Sequence, residues 1–279
     1  MEVRIAKTAG FCWGVRRTVE RLMEVADSAA GRAVVTLGPV IHNPQAVERM
    51  REKGVGTVNA IAEVGDGTTV VVRTHGAVKS ELAAAKERGL DVVDGTCPYV
   101  KYPQVMAQRL SKEGYHLIIV GDANHAEVKG VISYADGPCT VVKPGAPIPE
   151  VSARKVAVLA QTTCIGAEFE RVVGALALRH KEVRAVNTIC SDTDERQGDA
   201  RELAREVDAV VVVGGKNSAN TRHLAEICRD IQPRTWHIET EEELQAEWFH
   251  GCKLVGISAG ASTPDWVVEE VAERLRALQ

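Results

Sequence analysis

The amino-acid sequence predicts an α/β protein with three similar αβα lobes, each built on a small, mainly parallel β-sheet. Short apolar runs rich in β-branched residues recur along the chain, as is typical of buried parallel strands. Each run is followed by a polar or glycine-rich loop and then by a helical pattern, and similar loops return at similar intervals. With 279 residues and 45% hydrophobic side chains, the chain is large enough for the cores that such lobes need.

Two classes of predicted strand recur in every lobe. The first class covers residues 33–37, 117–120 and 209–213, and its loops read GPVIHN, GDANHAE and GGKNSAN. The second class covers residues 70–72, 156–159 and 254–257, with the loops RTHG, AQTTC and SAGAST. Parallel sheets bind ligands at the carboxyl ends of their strands, so these loops are the candidate binding loops.

A third class of predicted strand ends each time at a cysteine. VVDGTCP leads to Cys97 and VNTIC leads to Cys190, whereas the last lobe runs out of chain before it reaches its own cysteine. The N-terminal segment, residues 3–7 followed by TAGFCWG, has the missing form and ends at Cys12. We therefore predict lobes at residues 14–97, at residues 98–190, and at residues 191–279 plus 1–13.

The intervals between the loops fit this repeat. The next first-class loop begins 26 residues after Cys12 and 24 residues after both Cys97 and Cys190. Such an interval holds one helix and one strand, as a βαβ unit requires. The predicted helices are residues 15–30, 103–113 and 193–207, the last with Ser191 or Asp192 as its N-cap. The alternative is that the similarity reflects only the general pattern of α/β proteins.

Composition and charge disfavour several classes of function. The chain has 34 Lys and Arg against 38 Asp and Glu, and a net charge of -4 argues against a nucleic-acid partner, which normally requires a basic face. The N-terminus lacks the apolar stretch of a signal peptide, and no window approaches the roughly 20 apolar residues of a membrane span. We expect a cytoplasmic protein with no membrane partner.

The seven cysteines are assigned three different roles. They include no CxxC pair, so any metal site must be assembled from distant segments. If the three lobes face one another, the thiolates of Cys12, Cys97 and Cys190 converge on one central cleft. A four-iron cluster is usually held by four thiolates, so three would leave one iron open to a substrate oxygen. Cys139, Cys228 and Cys252 are interpreted as small hydrophobic packing residues, and Cys164 as a wall residue near the site.

The other binding loops carry neutral or titratable polar side chains. They are His42, Asn43, His75, His125, Glu127, Thr162, Thr163, Ser218, Asn220 and Ser262. Hydrogen bonds to a charged group contribute roughly 1.5–3 kcal/mol each, so these donors and the nearby helix N-termini could hold a diphosphate without lysine. In a dehydrated cleft, Glu127 could have a raised pKa and deliver a proton, oriented by Thr162. The loop GGKNS lacks the GxxxxGK[ST] pattern, which argues against a nucleoside triphosphatase.

Taken together, these motifs resemble one known family over essentially the whole chain. In order, they are AGFCWGVRR, GPVIHNPQAV, RTHG, DGTCPYV, NHAEVKG, AQTT, NTIC followed by Glu195-Arg196-Gln197, GGKNSANTRHLAE and SAGASTPDW. The chain resembles the IspH/LytB family, the 4-hydroxy-3-methylbut-2-enyl diphosphate reductases that perform the last step of the methylerythritol phosphate route to isoprenoids. The resemblance implies three lobes in a pseudo-threefold arrangement around a central 4Fe–4S cluster.

The resemblance also implies a role for each candidate residue. The cluster would be held by Cys12, Cys97 and Cys190, with one iron left open. The diphosphate would be gripped by His42, His75, His125, Ser218, Asn220 and Ser262. Glu127 would be the proton source and Thr162 would assist near the substrate hydroxyl, whose reductive loss gives isopentenyl and dimethylallyl diphosphate. Reduced ferredoxin or flavodoxin would be the electron donor, since the chain contains no flavin or nicotinamide motif.

Three positions depart from the family pattern. Ala219 stands where a second serine is common, Ala126 stands where proline is usual, and Cys164 replaces an apolar residue. The first departure removes one possible phosphate donor, so Ser218 and Asn220 would carry more of that role. Two other functions stay open: an iron–sulfur electron carrier or sensor without turnover, and a phosphate-ester hydrolase with one essential cysteine. A pure carrier needs no anion pocket, so the histidine and serine loops argue against it.

Overall fold

The structure is a computed structural model that describes residues 1–278. Its strands are β1 (Glu2–Ile5), β2 (Val34–Leu37), β3 (Val55–Val58), β4 (Thr69–Val72), β5 (Asp91–Asp94), β6 (His116–Val120), β7 (Cys139–Val142), β8 (Lys155–Ala160), β9 (Glu182–Ala185), β10 (Ala209–Val213), β11 (Thr235–Ile238) and β12 (Leu254–Ala259). Its α-helices are α1 (Trp13–Ser28), α2 (Pro44–Glu52), α3 (Lys79–Glu87), α4 (Pro98–Lys112), α5 (Ala126–Ser133), α6 (Gly166–Ala177), α7 (Ser191–Glu206), α8 (Ala219–Ile231) and α9 (Asp265–Ala277). Within residues 1–278, no helix is long and apolar enough to cross a membrane.

The strands described in residues 1–278 form three sheets of four parallel strands, and all three sheets have the same strand order. Written from the strand that precedes each candidate cysteine, the orders are β5-β4-β2-β3, β9-β8-β6-β7 and β1-β12-β10-β11. The predicted first-class and second-class strands are neighbours at the centre of every sheet. The N-terminal strand β1 pairs in parallel with β12, as the repeat predicts. The predicted α/β class with three similar lobes is therefore confirmed.

Each sheet also contains an edge strand that the sequence patterns did not predict. These strands are β3, β7 and β11. Each has only four residues and is partly exposed, so its apolar signal is weak. An edge strand with one solvated side does not need the continuous hydrophobic run by which the central strands were recognised.

The chain divides into two compact units. The first comprises residues 1–16, 41–49 and, within the described chain, 191–278, and the second comprises residues 17–40 and 50–190. The first unit contains the sheet of β1, β12, β10 and β11, and the second contains the other two sheets. The lobe boundaries at residues 14–97, 98–190 and 191–279 plus 1–13 stay a prediction.

The sheet of the first unit is covered by helices on both faces. Val211 and Val213 of β10 belong to the core cluster that includes α9, whereas Val210 and Val212 belong to the cluster formed with α7 and α8. Successive residues of a strand point to opposite faces, so a strand covered on both sides must be apolar throughout. This explains why the sequence of β10, AVVVV, is apolar without interruption.

The sheet of β6 and β8 in the second unit is built in the same way. Leu117 and Ile119 pack in the cluster that contains residues of α4 and α5, and Ile118 and Val120 pack in the cluster that contains α6. All four side chains are at most 1% exposed. These cores fix the strand ends from which the candidate binding loops emerge.

Three helices begin earlier in the structure than the sequence predicted. The largest difference is in α4, which begins at Pro98 rather than at residue 103 and contains Pro103 in its interior. Proline favours the first helical turn, and here Pro98 takes that position. Pro103 removes one backbone hydrogen bond, but its helix continues because the side chains of its inner face are buried. Helix α7 begins at Ser191, so the prediction of Ser191 or Asp192 as its N-cap is wrong.

Candidate active site

Glu127 is a carboxyl side chain buried inside the second unit. It lies in the first turn of α5 and is 1% exposed. Its carboxylate accepts two hydrogen bonds from Thr162, one from the backbone N–H at 2.6 Å and one from the hydroxyl at 2.7 Å. Burial raises the pKa of Glu127 from 4.5 to about 7, against the lowering effect of both hydrogen bonds. This side chain can therefore hold a proton up to neutral pH.

Two of the predicted histidines lie together beside this carboxyl group. His125 is the N-cap of α5, and its Nδ1 accepts a hydrogen bond from the backbone N–H of Glu127 at 3.2 Å. The ring of His75 meets that of His125 edge to face, with 5.1 Å between their centroids. Because Nδ1 of His125 is an acceptor, a neutral His125 carries its hydrogen on Nε2 and can donate from that atom.

Two of the predicted cysteines adjoin the same group. The backbone N–H of Cys190 donates to the carbonyl of Thr162 at 3.0 Å, and that of Cys97 donates to the carbonyl of Thr74, the neighbour of His75, at 3.0 Å. Burial raises the pKa of the Cys97 thiol most strongly, and the negative charge of Glu127 raises it further. The second unit therefore brings together all six of its predicted site residues: Cys97, Cys190, His75, His125, Glu127 and Thr162.

The first unit brings together the remaining predicted residues at the carboxyl edge of its sheet. The backbone N–H of Cys12 donates to the carbonyl of Ala261 at 3.0 Å, next to Ser262. The hydroxyl of Ser262 donates to the carbonyl of His42 at 3.3 Å. A side chain at Gly215 would place its Cβ 2.4 Å from that same carbonyl, so only glycine allows this approach.

The loop that contains Gly215 leads directly into α8 and its two predicted anion ligands. The backbone N–H of Ser218 donates to the carbonyl of Gly215 at 2.9 Å. Ser218 is the N-cap of α8, and its hydroxyl accepts a hydrogen bond from the backbone N–H of Thr221 at 3.3 Å. Asn220 follows in the first turn of the helix, where backbone N–H groups and the helix dipole favour an anion. Ala219, which replaces the second serine, is also buried here.

Several buried polar atoms of the first unit have no hydrogen-bond partner among residues 1–278. They are Asn43 Nδ2, Gln45 Oε1, Gln197 Nε2, both amide atoms of Asn220, Thr221 Oγ1 and Ser258 Oγ. A buried polar group without a partner costs roughly 1–3 kcal/mol, so such atoms normally bind water or a ligand. Asn220 was predicted as a ligand, whereas Gln197, Thr221 and Ser258 were not. The only signal for Gln197 was its place in the Glu195-Arg196-Gln197 motif.

Arg196 is a second residue of that motif whose place the sequence did not predict. It is 2% exposed, and its guanidinium donates to the carbonyls of Thr8 and of Ala259, the latter at 3.0 Å. Asp199, one helical turn further along α7, accepts from both the backbone N–H and the hydroxyl of Thr8 at 2.8 Å. These bonds hold the segment that leads to Cys12 and the strand end that leads to Ser262.

The other four cysteines have packing environments. Burial raises the pKa of Cys164 and of Cys228 to about 12, which makes both thiols unreactive at neutral pH. Cys228 lies in the core between α7 and α8, and Cys164 packs in the core cluster of α6, two positions after Thr162. Burial also raises the pKa of Cys139 and of Cys252. The interpretation of Cys139, Cys228 and Cys252 as packing residues agrees with these environments.

Comparison with known proteins decides the family. The sequence model of the LytB protein family matches residues 3–276. The chain belongs to the LytB family. A relative from Anaeromyxobacter sp. (strain Fw109-5), named 4-hydroxy-3-methylbut-2-enyl diphosphate reductase, is 81% identical over 100% of this chain and 98% of its own length.

One solved structure supports the same assignment, and a second one supports the fold alone. A structure of (E)-4-hydroxy-3-methyl-but-2-enyl diphosphate reductase, described as the terminal enzyme of the non-mevalonate pathway, is 44% identical. It covers 99% of this chain and 100% of its own, with a TM-score of 0.72. The structure of the E-1-hydroxy-2-methyl-but-2-enyl-4-diphosphate reductase from Plasmodium falciparum is 23% identical, covers 98% of this chain and 87% of its own, and shares the fold with a TM-score of 0.89. The expected membership of the LytB family is therefore confirmed.

Proposed function

We propose that this chain is a 4-hydroxy-3-methylbut-2-enyl diphosphate reductase that acts at a 4Fe–4S cluster. It removes the allylic hydroxyl group by reduction and yields isopentenyl and dimethylallyl diphosphate, the last step of the methylerythritol phosphate route. Membership of the LytB family supports the reaction. The observation that carries the proposal is the group in the second unit, where a protonatable buried Glu127 adjoins Cys190, Cys97 and two histidines.

The donor atoms of the three predicted cysteines fit an iron–sulfur cluster. Cys97 is the N-cap of α4, so it lies at the N-terminus of that helix. The sulfur of Cys12 accepts a hydrogen bond from the N–H of Val15 at 3.4 Å, and Cys190 directly precedes α7. Helix N-termini stabilise the thiolate form that ligates iron. When bound, the cluster supplies single electrons and, at the iron that no cysteine holds, a Lewis acid for the substrate oxygen.

The residues of the first unit would bind the diphosphate. His42, Ser218, Asn220 and Ser262 lie on neighbouring loops, and the amide atoms of Asn220 have no partner within residues 1–278. His75 and the Nε2 of His125 would add donors. A buried donor without a hydrogen-bond partner costs free energy, and a diphosphate oxygen would provide that partner. This region therefore favours binding of an anion.

Glu127 would deliver the proton that accompanies loss of the hydroxyl group. Its pKa of about 7 leaves a large protonated fraction at neutral pH. Thr162 holds both carboxyl oxygens, so the acid is fixed in one orientation before the substrate binds. The alcohol leaves as water only if it gains a proton, and an acid poised near neutrality supplies it.

The electron donor would be reduced ferredoxin or flavodoxin, and the reaction would take place in the cytoplasm. The chain has no flavin or nicotinamide motif of its own. A biosynthetic reductase of this kind therefore depends on a separate redox protein for both electrons.

Turnover by anaerobically purified protein tests the proposal. Dithionite-reduced methyl viologen would supply electrons, and the products would be separated and identified by mass spectrometry. We expect both isopentenyl and dimethylallyl diphosphate from the iron-loaded protein. An iron–sulfur protein that forms no product under these conditions would be a carrier or sensor instead. A hydrolase would release phosphate without iron and would depend on one cysteine rather than on three.

A further inference from the structure

Exposed hydrophobic side chains are concentrated on the helices that follow two of the candidate cysteines. Within residues 1–278, the large exposed hydrophobic residues are Trp13, Tyr99, Tyr102, Val105 and Leu178. The first lies at the start of α1, directly after Cys12, and the next three lie on α4, directly after Cys97. Four of the five therefore lie on helices that begin at a proposed cluster ligand, which is unexpected for residues that serve no function.

The residues of α4 separate cleanly into a buried face and an exposed face. Val100, Met106, Ala107 and Leu110 are buried and form the contact with the core. On the opposite side, the exposed Pro98, Tyr99, Tyr102 and Val105 form what we call the α4 stripe. Residues three and four positions apart lie on the same side of a helix. Because the inner face holds the helix in place, the stripe is not needed for folding.

The α4 stripe lies close to Cys97 along the helix axis. At about 1.5 Å per residue, Tyr102 is about 8 Å and Val105 about 12 Å from the position of Cys97. A protein that binds the stripe would therefore bring its own redox centre near the Cys97 end of α4.

The surroundings of the stripe are basic, although the whole chain has a net charge of -4. Helix α4 contains Lys101, Arg109 and Lys112 and no acidic residue. At its C-terminal end, Arg109 and Arg184 both bond the carboxylate of Glu113, at 2.9 and 2.8 Å, and Lys155 donates to the carbonyl of Glu113. Two cations thus bond one carboxylate, and a third cation bonds the backbone carbonyl of the same residue. At the other end, Lys101 is neutralised by Asp94 at 2.6 Å.

We propose that the α4 stripe and this basic group form the docking surface for an acidic electron-transfer protein, a ferredoxin or flavodoxin. The inference rests on the proposed function, which requires an external electron donor. Exposed tyrosines at the centre with charges around them match the composition of transient interfaces, and electron-transfer complexes are typically small. Opposite charges would steer the encounter and make it sensitive to salt.

A pair of variants separates docking from catalysis. Tyr102→Ser combined with Val105→Ser removes apolar contact from the stripe without touching a proposed catalytic group. With an acidic bacterial ferredoxin as donor, we expect the KM for ferredoxin and the Kd for its binding to immobilised iron-loaded enzyme to rise about tenfold. With methyl viologen as donor, turnover should stay within about twofold of the wild type. Raising the salt concentration should also raise the ferredoxin KM of the wild type.

Leu178→Ser is the matched control, because Leu178 is 91% exposed but lies at the end of α6. It should change neither the ferredoxin KM nor the Kd.

Val105→Glu is a second test, since a negative charge in the stripe should repel an acidic donor while the fold is retained. Repeating the binding with flavodoxin identifies which donor uses the surface. Unchanged Kd values for both donors in both stripe variants would overturn the proposal. Failure of the wild type with methyl viologen would instead count against the proposed function.

Discussion

The carboxyl group of Glu127 combines complete burial with two hydrogen bonds from a single threonine. Burial favours the neutral acid, and the bonds from Thr162 favour the carboxylate, so the two effects place its pKa near neutrality rather than at an extreme. Among the predicted site residues, this is the one whose surroundings specify a chemical role most directly. The corresponding loops of the sequence repeat pointed to Glu127 and Thr162, but only the fold shows that these two residues contact each other.

Replacement of Glu127 by Gln should remove the proton source and leave most of the site in place. We expect turnover to fall by about 10²–10⁴-fold, the range that general acids contribute, with the iron content unchanged and the KM for the diphosphate changed little. The measurement is methyl viologen-driven turnover with parallel iron analysis. Glu170→Gln, on the exposed surface of α6, is the control and should behave as wild type. Full activity of the Glu127 variant would remove this residue from the mechanism.

The pH dependence of turnover follows from the raised pKa of Glu127. The acid is protonated below about pH 7 and loses its proton above it, so kcat should fall as the pH rises through about 7. The same shift affects stability: the neutral side chain contributes stability that is present below pH 4.5 and is lost as the pH rises to about 7. Turnover between pH 6 and 9 should show the descending limb, and Glu127→Gln should not. A kcat that rises across this interval would contradict the assignment.

Asn220 should contribute to substrate binding rather than to the stability of the protein without substrate. Its amide is buried and has no partner within residues 1–278. Asn220→Ala should therefore raise the KM for the diphosphate about tenfold, the loss of one hydrogen bond to a charged group, without lowering the Tm. Enzyme kinetics and thermal unfolding measure the two effects. Asn59→Ala, at an exposed position, should change neither. A lower Tm with an unchanged KM would show a structural role instead.

At the scale of single elements, α7 links the segments that carry two proposed ligands. Arg196 and Asp199 bond the segment before Cys12, and Arg196 also bonds the end of β12, which leads to Ser262. The partners Thr8 and Ala259 are 188 and 63 residues away from Arg196 in sequence. No local pattern reports such distances, which is why the sequence assigned Arg196 only as part of a family motif.

Arg196→Leu should loosen the segment that carries Cys12. Loss of a buried, fully bonded cation leaves carbonyls and Asp192 without their donor, so we expect a destabilisation of about 3–5 kcal/mol. The iron content of the folded fraction should fall as well, because one cluster ligand loses its support. Urea unfolding and iron analysis test this. Arg205→Leu, on the exposed side of the same helix, should leave both values unchanged. Normal iron content in Arg196→Leu would show that the bonds serve stability alone.

The start of α4 shows that proline is an ambiguous signal for the first turn of a helix. The chain has two prolines in α4, and either could mark the first turn. The prediction chose Pro103, whereas the structure begins the helix at Pro98 with Cys97 as its N-cap. The choice depends on the burial of Val100 and Pro103, which is a tertiary property. The correct start matters here because it places Cys97 at a helix N-terminus.

At the scale of the whole molecule, the repeat in the sequence predicted the architecture because each sheet uses the same central strands. Their apolar runs are continuous since both faces are covered. The repeat does not decide which segments pack together. Residues 41–49 belong to the first unit, where Gln45 donates to the carbonyl of Glu239 at 2.6 Å and the carbonyl of His42 meets Gly215. Such long-range contacts cannot be derived from strand patterns or loop intervals.

The cluster and its three cysteine ligands are the part of the account on which the others depend. Cysteine spacing excluded a local metal motif, the repeat pointed to Cys12, Cys97 and Cys190, and the family resemblance implied these three as the cluster ligands. The structure adds that Cys97, Cys190 and Cys12 each precede a helix, whereas Cys164 and Cys228 lie in apolar cores with pKa values of about 12. The two groups of cysteines should therefore respond differently to substitution.

Iron and acid-labile sulfide counts on anaerobically purified variants test this claim most directly. The wild type should contain about four iron and four sulfide per chain. Cys12→Ser, Cys97→Ser and Cys190→Ser should each lose most of both, while Cys139→Ser and Cys252→Ser should keep the wild-type amounts. Full iron and sulfide in any one of the first three variants, or none in the wild type, would contradict the account.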